Sequence, residues 1–188
     1  METERYIAQM KIFWQNYYFC THGIEINTLC IDVPSKPDGD DWILLCIGQG
    51  LTPSKQFDYW NFPKDNFGYN MDFLAHRNIR DTTKTYFIWV RNGLKPDEEF
   101  LGKSTSEIDP NMKIGMTLLE CMVFLSYAHC MDLMLEKKGI TFCSGSRDSV
   151  GFVPSISLSI SGKVRIFQCY LVNWSPSNGI RRAIALEP

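Results

Sequence analysis

The sequence predicts an α+β fold: a mostly antiparallel sheet packed against a long central helix, about residues 117–138, and an N-terminal helix. Three observations carry that expectation. Residues 117–138 (TLLECMVFLSYAHCMDLMLEKK) are apolar almost all the way round, and Gly139 closes the run; a helix without a fully polar face is central to a core. Short runs such as 42–47 (WILLCI) and 85–91 (TYFIWVR) have strand composition. The order along the chain is helix, three or more strands, long helix, then two or three strands, which defines the class.

Taken in order, residues 3–19 place Ile7, Met10, Phe13, Trp14 and Tyr17 at helical spacing, with Thr3 as N-cap and Gly23 as terminator. Residues 24–33 read as a strand, with Ile24, Ile26, Thr28 and Cys30 on one face. The turn 34–41 (PSKPDGDD) then joins it to a central strand at 42–47, as an antiparallel pair. Residues 48–83 are irregular and rich in aromatics and amides. The strand at 85–91 ends at Asn92-Gly93, and residues 95–113 are polar and broken by Pro96, Gly102 and Asp109-Pro110. In the central helix, Thr117 and Glu120 form a capping box, and Lys137 and Lys138 suit the negative end of the helix dipole. Residues 155–172 form a hairpin. A three-residue loop, 161–163, pairs Ile160 with Val164 and Leu158 with Ile166, keeping apolar residues on one face. A turn at 176–179 leads to a last strand, 180–186.

With 188 residues and 45% hydrophobic content, the chain fits one domain, residues 1–188. A net charge of −2 argues against a general nucleic-acid partner. The seven cysteines, at 20, 30, 46, 121, 130, 143 and 169, are odd in number and share no spacing, and no apolar leader opens the chain. Together these favour free thiols and a cytoplasmic location. Without a Cys-x-x-Cys pair and with three scattered histidines, no metal or cofactor is implied. Residues 116–135 are long enough to cross a bilayer. They carry Glu120, His129 and Asp132. A central charge costs about 2.5–3.5 kcal/mol on insertion, so the segment reads as a buried helix and not a membrane span.

The candidate chemistry lies in two segments. In Cys143-Ser144-Gly145-Ser146-Arg147-Asp148, small residues permit close backbone approach and an anion nest, and Arg147 can hold a carboxylate or phosphate. The loop lacks the spacing of a nucleotide-phosphate loop; its alternative is a tight turn with Arg147 paired to Asp148. In 57–73, aromatics including Tyr59 and Trp60 stand beside Asn and Asp, either as a stacking platform or as the segment's own small core. A thiol site at Cys20-Thr21-His22 or Cys143, or a raised-pKa Glu120, would support a small hydrolase or transferase. The leading expectation is a binding domain for a small anionic or polar ligand or a protein partner. Its ligand residues are Cys143, Ser144, Gly145, Ser146, Arg147, Asp148, Tyr59 and Trp60. The alternatives are the thiol- or carboxylate-dependent hydrolase or transferase, and a homodimeric subunit built on the aromatic segment.

Overall fold

The computed structural model describes residues 2–39, 41–58, 75–80, 82–93, 97–109, 111–132, 140–158, 164–169, 179–180 and 183–185. The first helix, α1 (Glu2–His22), buries Met10, Trp14, Tyr18 and His22, one residue per turn along a single face. Gly23, at φ +64°, ends it in the left-handed conformation that glycine adopts without strain. Helix α1 is already formed at Glu2, so Thr3 lies inside its first turn and is not the N-cap.

The aromatic face of α1 has a second task beyond packing. Strand β1 (Trp42–Ile47) is buried at every position, yet it is the edge of its sheet and not a central strand. An edge strand presents backbone N–H and C=O groups that need partners. Side chains of α1 supply them. Trp14 Nε1 donates to Leu44 O (2.8 Å), and Tyr18 Oη donates to Cys46 O (2.7 Å). The same hydroxyl accepts from Gly48 N (3.1 Å), and Tyr6 Oη accepts from Leu44 N (3.3 Å). The helix stands where another strand would.

The segment 24–33 is not a strand and does not pair with β1. It runs along α1 with one 3₁₀ turn, Thr28–Cys30. Thr28 Oγ1 donates to Lys11 O (2.8 Å), while Lys11 Nζ donates to Leu29 O (3.2 Å) and Ile31 O (2.7 Å). Ile26 and Thr28 are buried while Asn27 and Leu29 are exposed. A partner that is a helix surface produces the same alternation as a sheet face, which is why the pattern resembled a strand.

A short helix, α2 (Pro53–Asp58), follows β1. After strand β2 (Arg77–Asn78) comes β3 (Tyr86–Arg91), the true partner of β1, antiparallel from Trp42↔Arg91 to Ile47↔Tyr86. A 3₁₀ turn at Glu98–Phe100 and a one-turn helix, α3 (Thr105–Ile108), lead to the central helix α4 (Leu118–Cys130). Every residue of α4 from Leu118 to Ala128 is buried. It packs on β1 on one side and on β6 (Val153–Leu158) of the other main sheet, so it is covered all round. The expected continuous helix to Lys138 stops at Cys130: Asp132 N–H bonds to His129 O, three residues back instead of four, and Asp132 takes a left-handed φ of 51°. Residues 133–139 lie outside the described residues.

The other main sheet contains β4 (Ile140–Phe142), β6, β7 (Val164–Cys169) and β8 (Gly179–Ile180), in the order β7-β6-β4-β8. Its hairpin is present, but the register differs from the expected one. Leu158 pairs with Val164 and Ile156 with Ile166, two residues from the predicted pairing. A shift of two preserves which face each side chain occupies, so the apolar pattern could not distinguish the two registers. Residues 159–163 lie outside the described residues. The expected last strand is divided: β8 pairs parallel with β4, and β9 (Ala183–Ala185) pairs antiparallel with β3 in the first sheet. A two-stranded ribbon joins β2 to β5 (Ser146–Arg147). The fold is α+β, with mostly antiparallel pairing spread over these sheets.

Candidate ligand site

The start of α4 organises the site. Thr117 Oγ1 accepts from Glu120 N, and Glu120 Oε2 accepts from Thr117 N (2.7 Å), completing the capping box. Glu120 is fully buried, and a cap alone would leave its charge uncompensated. Arg80 compensates it from forty residues away. Its Nε donates to Oε1 (2.6 Å) and its Nη2 to Oε2 (2.7 Å), a bidentate pair, and Nη2 also reaches Gly115 O (2.7 Å). Tyr86 Oη donates to Oε1 (2.8 Å). Burial pushes the Glu120 carboxyl up, but the Arg80 charge and these hydrogen bonds outweigh it and hold the group below the usual carboxylate range. The Tyr86 hydroxyl is driven well above its ordinary value by burial and by the facing carboxylate.

The six residues 143–148 lie together against this start. Cys143 is fully buried. Gly145 N donates to Met116 O (3.0 Å), Cys143 N to Pro154 O, Ser146 N to Cys143 O and Asp148 N to Phe152 O (each 2.9 Å). These N–H groups are bound to carbonyls of the fold. Gly145 is required by space: a Cβ there would stand 2.7 Å from Gly115 O and 3.0 Å from Thr117 N. Ser146 Oγ accepts from Leu118 N (2.9 Å), satisfying an orphan N–H of α4, and donates to Asn78 Oδ1. Ser144 Oγ donates to Asp109 Oδ2 (2.7 Å), whose carboxylate also accepts from Gly115 N, Ile114 N and Lys113 N. Arg147 Nη1 donates to Ser144 O (2.7 Å) and Ser146 O (2.8 Å). Asp148 Oδ1 accepts from Val150 N and Phe152 N, so the expected Arg147–Asp148 pair is replaced by two separate local bridges.

Beside the loop lies a cavity of about 200 Å³. Its lining is polar at Thr52, Asn78, Arg80, Thr82 and Thr117 and apolar at residues that include Leu51 and Leu119. Ser146 reaches this lining through Asn78. None of residues 143–148 lines this cavity, and Tyr59 and Trp60 lie outside the described residues. Asn78, Arg80 and Thr82 escaped the sequence reading. One signal was available: Glu120, alone among apolar neighbours in a buried helix, requires a cation. Among the described residues no group of three or more His, Cys, Asp or Glu could hold a metal ion, and no helix is long and apolar enough to cross a membrane. No protein-family model, curated protein or solved structure matches the chain.

Proposed function

We propose that this chain is a single-domain, cytoplasmic binding protein for a small polar or anionic ligand, seated in the cavity beside residues 143–148. The observation that carries the reading is the cavity itself. It exceeds the roughly 150 Å³ that holds a benzene-sized molecule, and its lining combines an Arg, an Asn and three Thr residues with apolar ones. A few convergent polar groups on an apolar concavity are the usual make-up of a small-ligand pocket. Arg80 lines the cavity and keeps 15% of its side chain exposed while bound to Glu120. Cys20, Cys30, Cys46, Cys121, Cys130 and Cys143 are free, in keeping with a reducing compartment.

A binding role fits this chemistry better than catalysis. Cys143 is fully buried, and Glu120 is held ionised by Arg80, so neither group is poised as nucleophile or proton donor. The test is a thermal-shift screen of carboxylates, phosphates and neutral polyols against the wild type and Ala75→Leu. Ala75 is a buried wall residue, and the larger side chain fills the space. Compounds that raise the wild-type Tm should lose their effect in the variant. Equal shifts in both proteins, or no shift with any compound, would reject the cavity as the ligand site.

A further inference from the structure

The ribbon formed by β2 and β5 places Arg77 directly opposite Arg147. Residues facing each other across an antiparallel pair share one side of the ribbon. The other opposed pair, exposed Asn78 and buried Ser146, shares the other side of the ribbon, where the two are bonded together. The two arginines therefore project from the opposite side, as neighbours of like charge. Like charges in this position destabilise a pair unless something neutralises them.

Asp109 favours the charge on Arg147, yet among the described residues no carboxylate forms an ion pair with either guanidinium. Asp109 lies close enough to influence Arg147, but its oxygens are engaged by three backbone N–H groups and Ser144 Oγ. Asp148 serves the backbone N–H groups of Val150 and Phe152, and Glu120 serves Arg80. Arg77 is exposed and, among the described residues, forms no ion pair with a carboxylate. Arg147 is held by Nη1 alone, which fixes the guanidinium while leaving its remaining N–H groups to a ligand. Burial and the facing Arg77 both make Arg147 harder to keep charged, against the opposing pull of Asp109. A second negative partner would relieve both.

We infer that Arg77 and Arg147 form a clamp for a tetrahedral oxyanion, the phosphate of a small phosphomonoester. A dianion with three free oxygens matches two forked guanidiniums, each able to bind two of them. The inference goes beyond the binding reading above: the cavity is lined by Asn78, on the other side of the ribbon, and by neither arginine, so the clamp is a second site. It also replaces the backbone of residues 143–148 with side chains as the anion's holders, since the N–H groups of Cys143, Gly145, Ser146 and Asp148 are bonded within the fold.

The experiment is calorimetric titration, with thermal shifts, at low ionic strength. The probes are inorganic phosphate and glycerol phosphate, with chloride at matched ionic strength as control. Wild type, Arg77→Gln, Arg147→Lys and Ala75→Leu are compared. Phosphate should bind the wild type and raise its Tm, and each arginine variant should lose about tenfold or more in affinity. Arg77 is exposed, so Arg77→Gln will fold. Without phosphate it should be at least as stable as the wild type, because a repulsion has been removed. Tighter binding of glycerol phosphate identifies an esterified ligand, and tighter binding of inorganic phosphate the free anion. Ala75→Leu should still bind phosphate, so loss of cavity ligands there with phosphate binding intact would show the two sites failing separately. Unchanged phosphate affinity in Arg77→Gln, or a lower Tm for that variant without phosphate, would overturn the clamp.

Discussion

Tyr18 shows how much a single buried hydroxyl can hold. Its oxygen donates to Cys46 O and accepts from Gly48 N, and the ring is fully buried. Tyr18→Phe keeps the ring and orphans two backbone groups. Leaving a buried polar group unsatisfied costs about 1–3 kcal/mol, so the variant should lose about 2–4 kcal/mol of unfolding free energy in a urea titration. A loss below about 0.5 kcal/mol would show that these bonds contribute little net stability. Arg80 holds a comparable position for charge. Arg80→Ala strands the Glu120 carboxylate, and breaking a buried pair costs about 3–5 kcal/mol. The same denaturation experiment measures it, and it should rank above Tyr18→Phe. The sequence pointed to one end of the Arg80–Glu120 contact and to neither end of the contacts of Tyr18. Glu120 was visible as a cap, but its cation lies forty residues away. Tyr18 was one of a crowd of aromatics, and nothing local marks a ring whose hydroxyl meets a strand.

At the scale of elements, α1 carries a pH dependence. His22 closes its buried face at 7% exposure, and burial lowers its pKa to about 4. In the unfolded chain the ring titrates near 6.5. The folded form therefore binds its proton later than the unfolded form as pH falls. The stability associated with the neutral ring is fully present above about pH 6.5 and is lost between there and about pH 4. Between pH 7 and pH 5 the loss should be on the order of 2 kcal/mol. Comparing unfolding at pH 7 and pH 5 for the wild type and His22→Gln measures it, and the variant's stability should be flatter over that window. Equal slopes would reject His22 as the source. Glu120 acts in a lower window, below its ordinary range, because its folded pKa is depressed. Elements held by local rules were legible in the sequence: the strands at 42–47 and 86–91, and the start of α4 through Thr117 and Glu120. Those depending on a distant partner were not. Residues 24–33 alternate because a helix lies beneath them, and the hairpin's pattern fixed its faces without fixing its register.

For the molecule as a whole, the thiols give a direct measure of the fold's integrity. Cys20, Cys30 and Cys130 are exposed, whereas Cys46, Cys121 and Cys143 are buried. Alkylation under native conditions should modify the first three quickly and the second three only through unfolding. Under denaturing, non-reducing conditions all seven cysteines of the chain should react; intact pairs would contradict the reducing compartment. The division of residues 179–185 between two sheets was invisible in advance, because a two-residue parallel contact such as β4–β8 leaves no apolar rhythm. The neighbouring edge carries the larger consequence. Strand β1 reads WILLCI, has no charge and is buried throughout, the composition of an aggregation-prone segment. Its free side is closed by three aromatic residues of a helix and not by backbone, so fraying of α1 would uncover a ready template for a second chain. Mutations that loosen α1 should therefore register first as fibrils or precipitate, at denaturant concentrations where most of the protein is still folded.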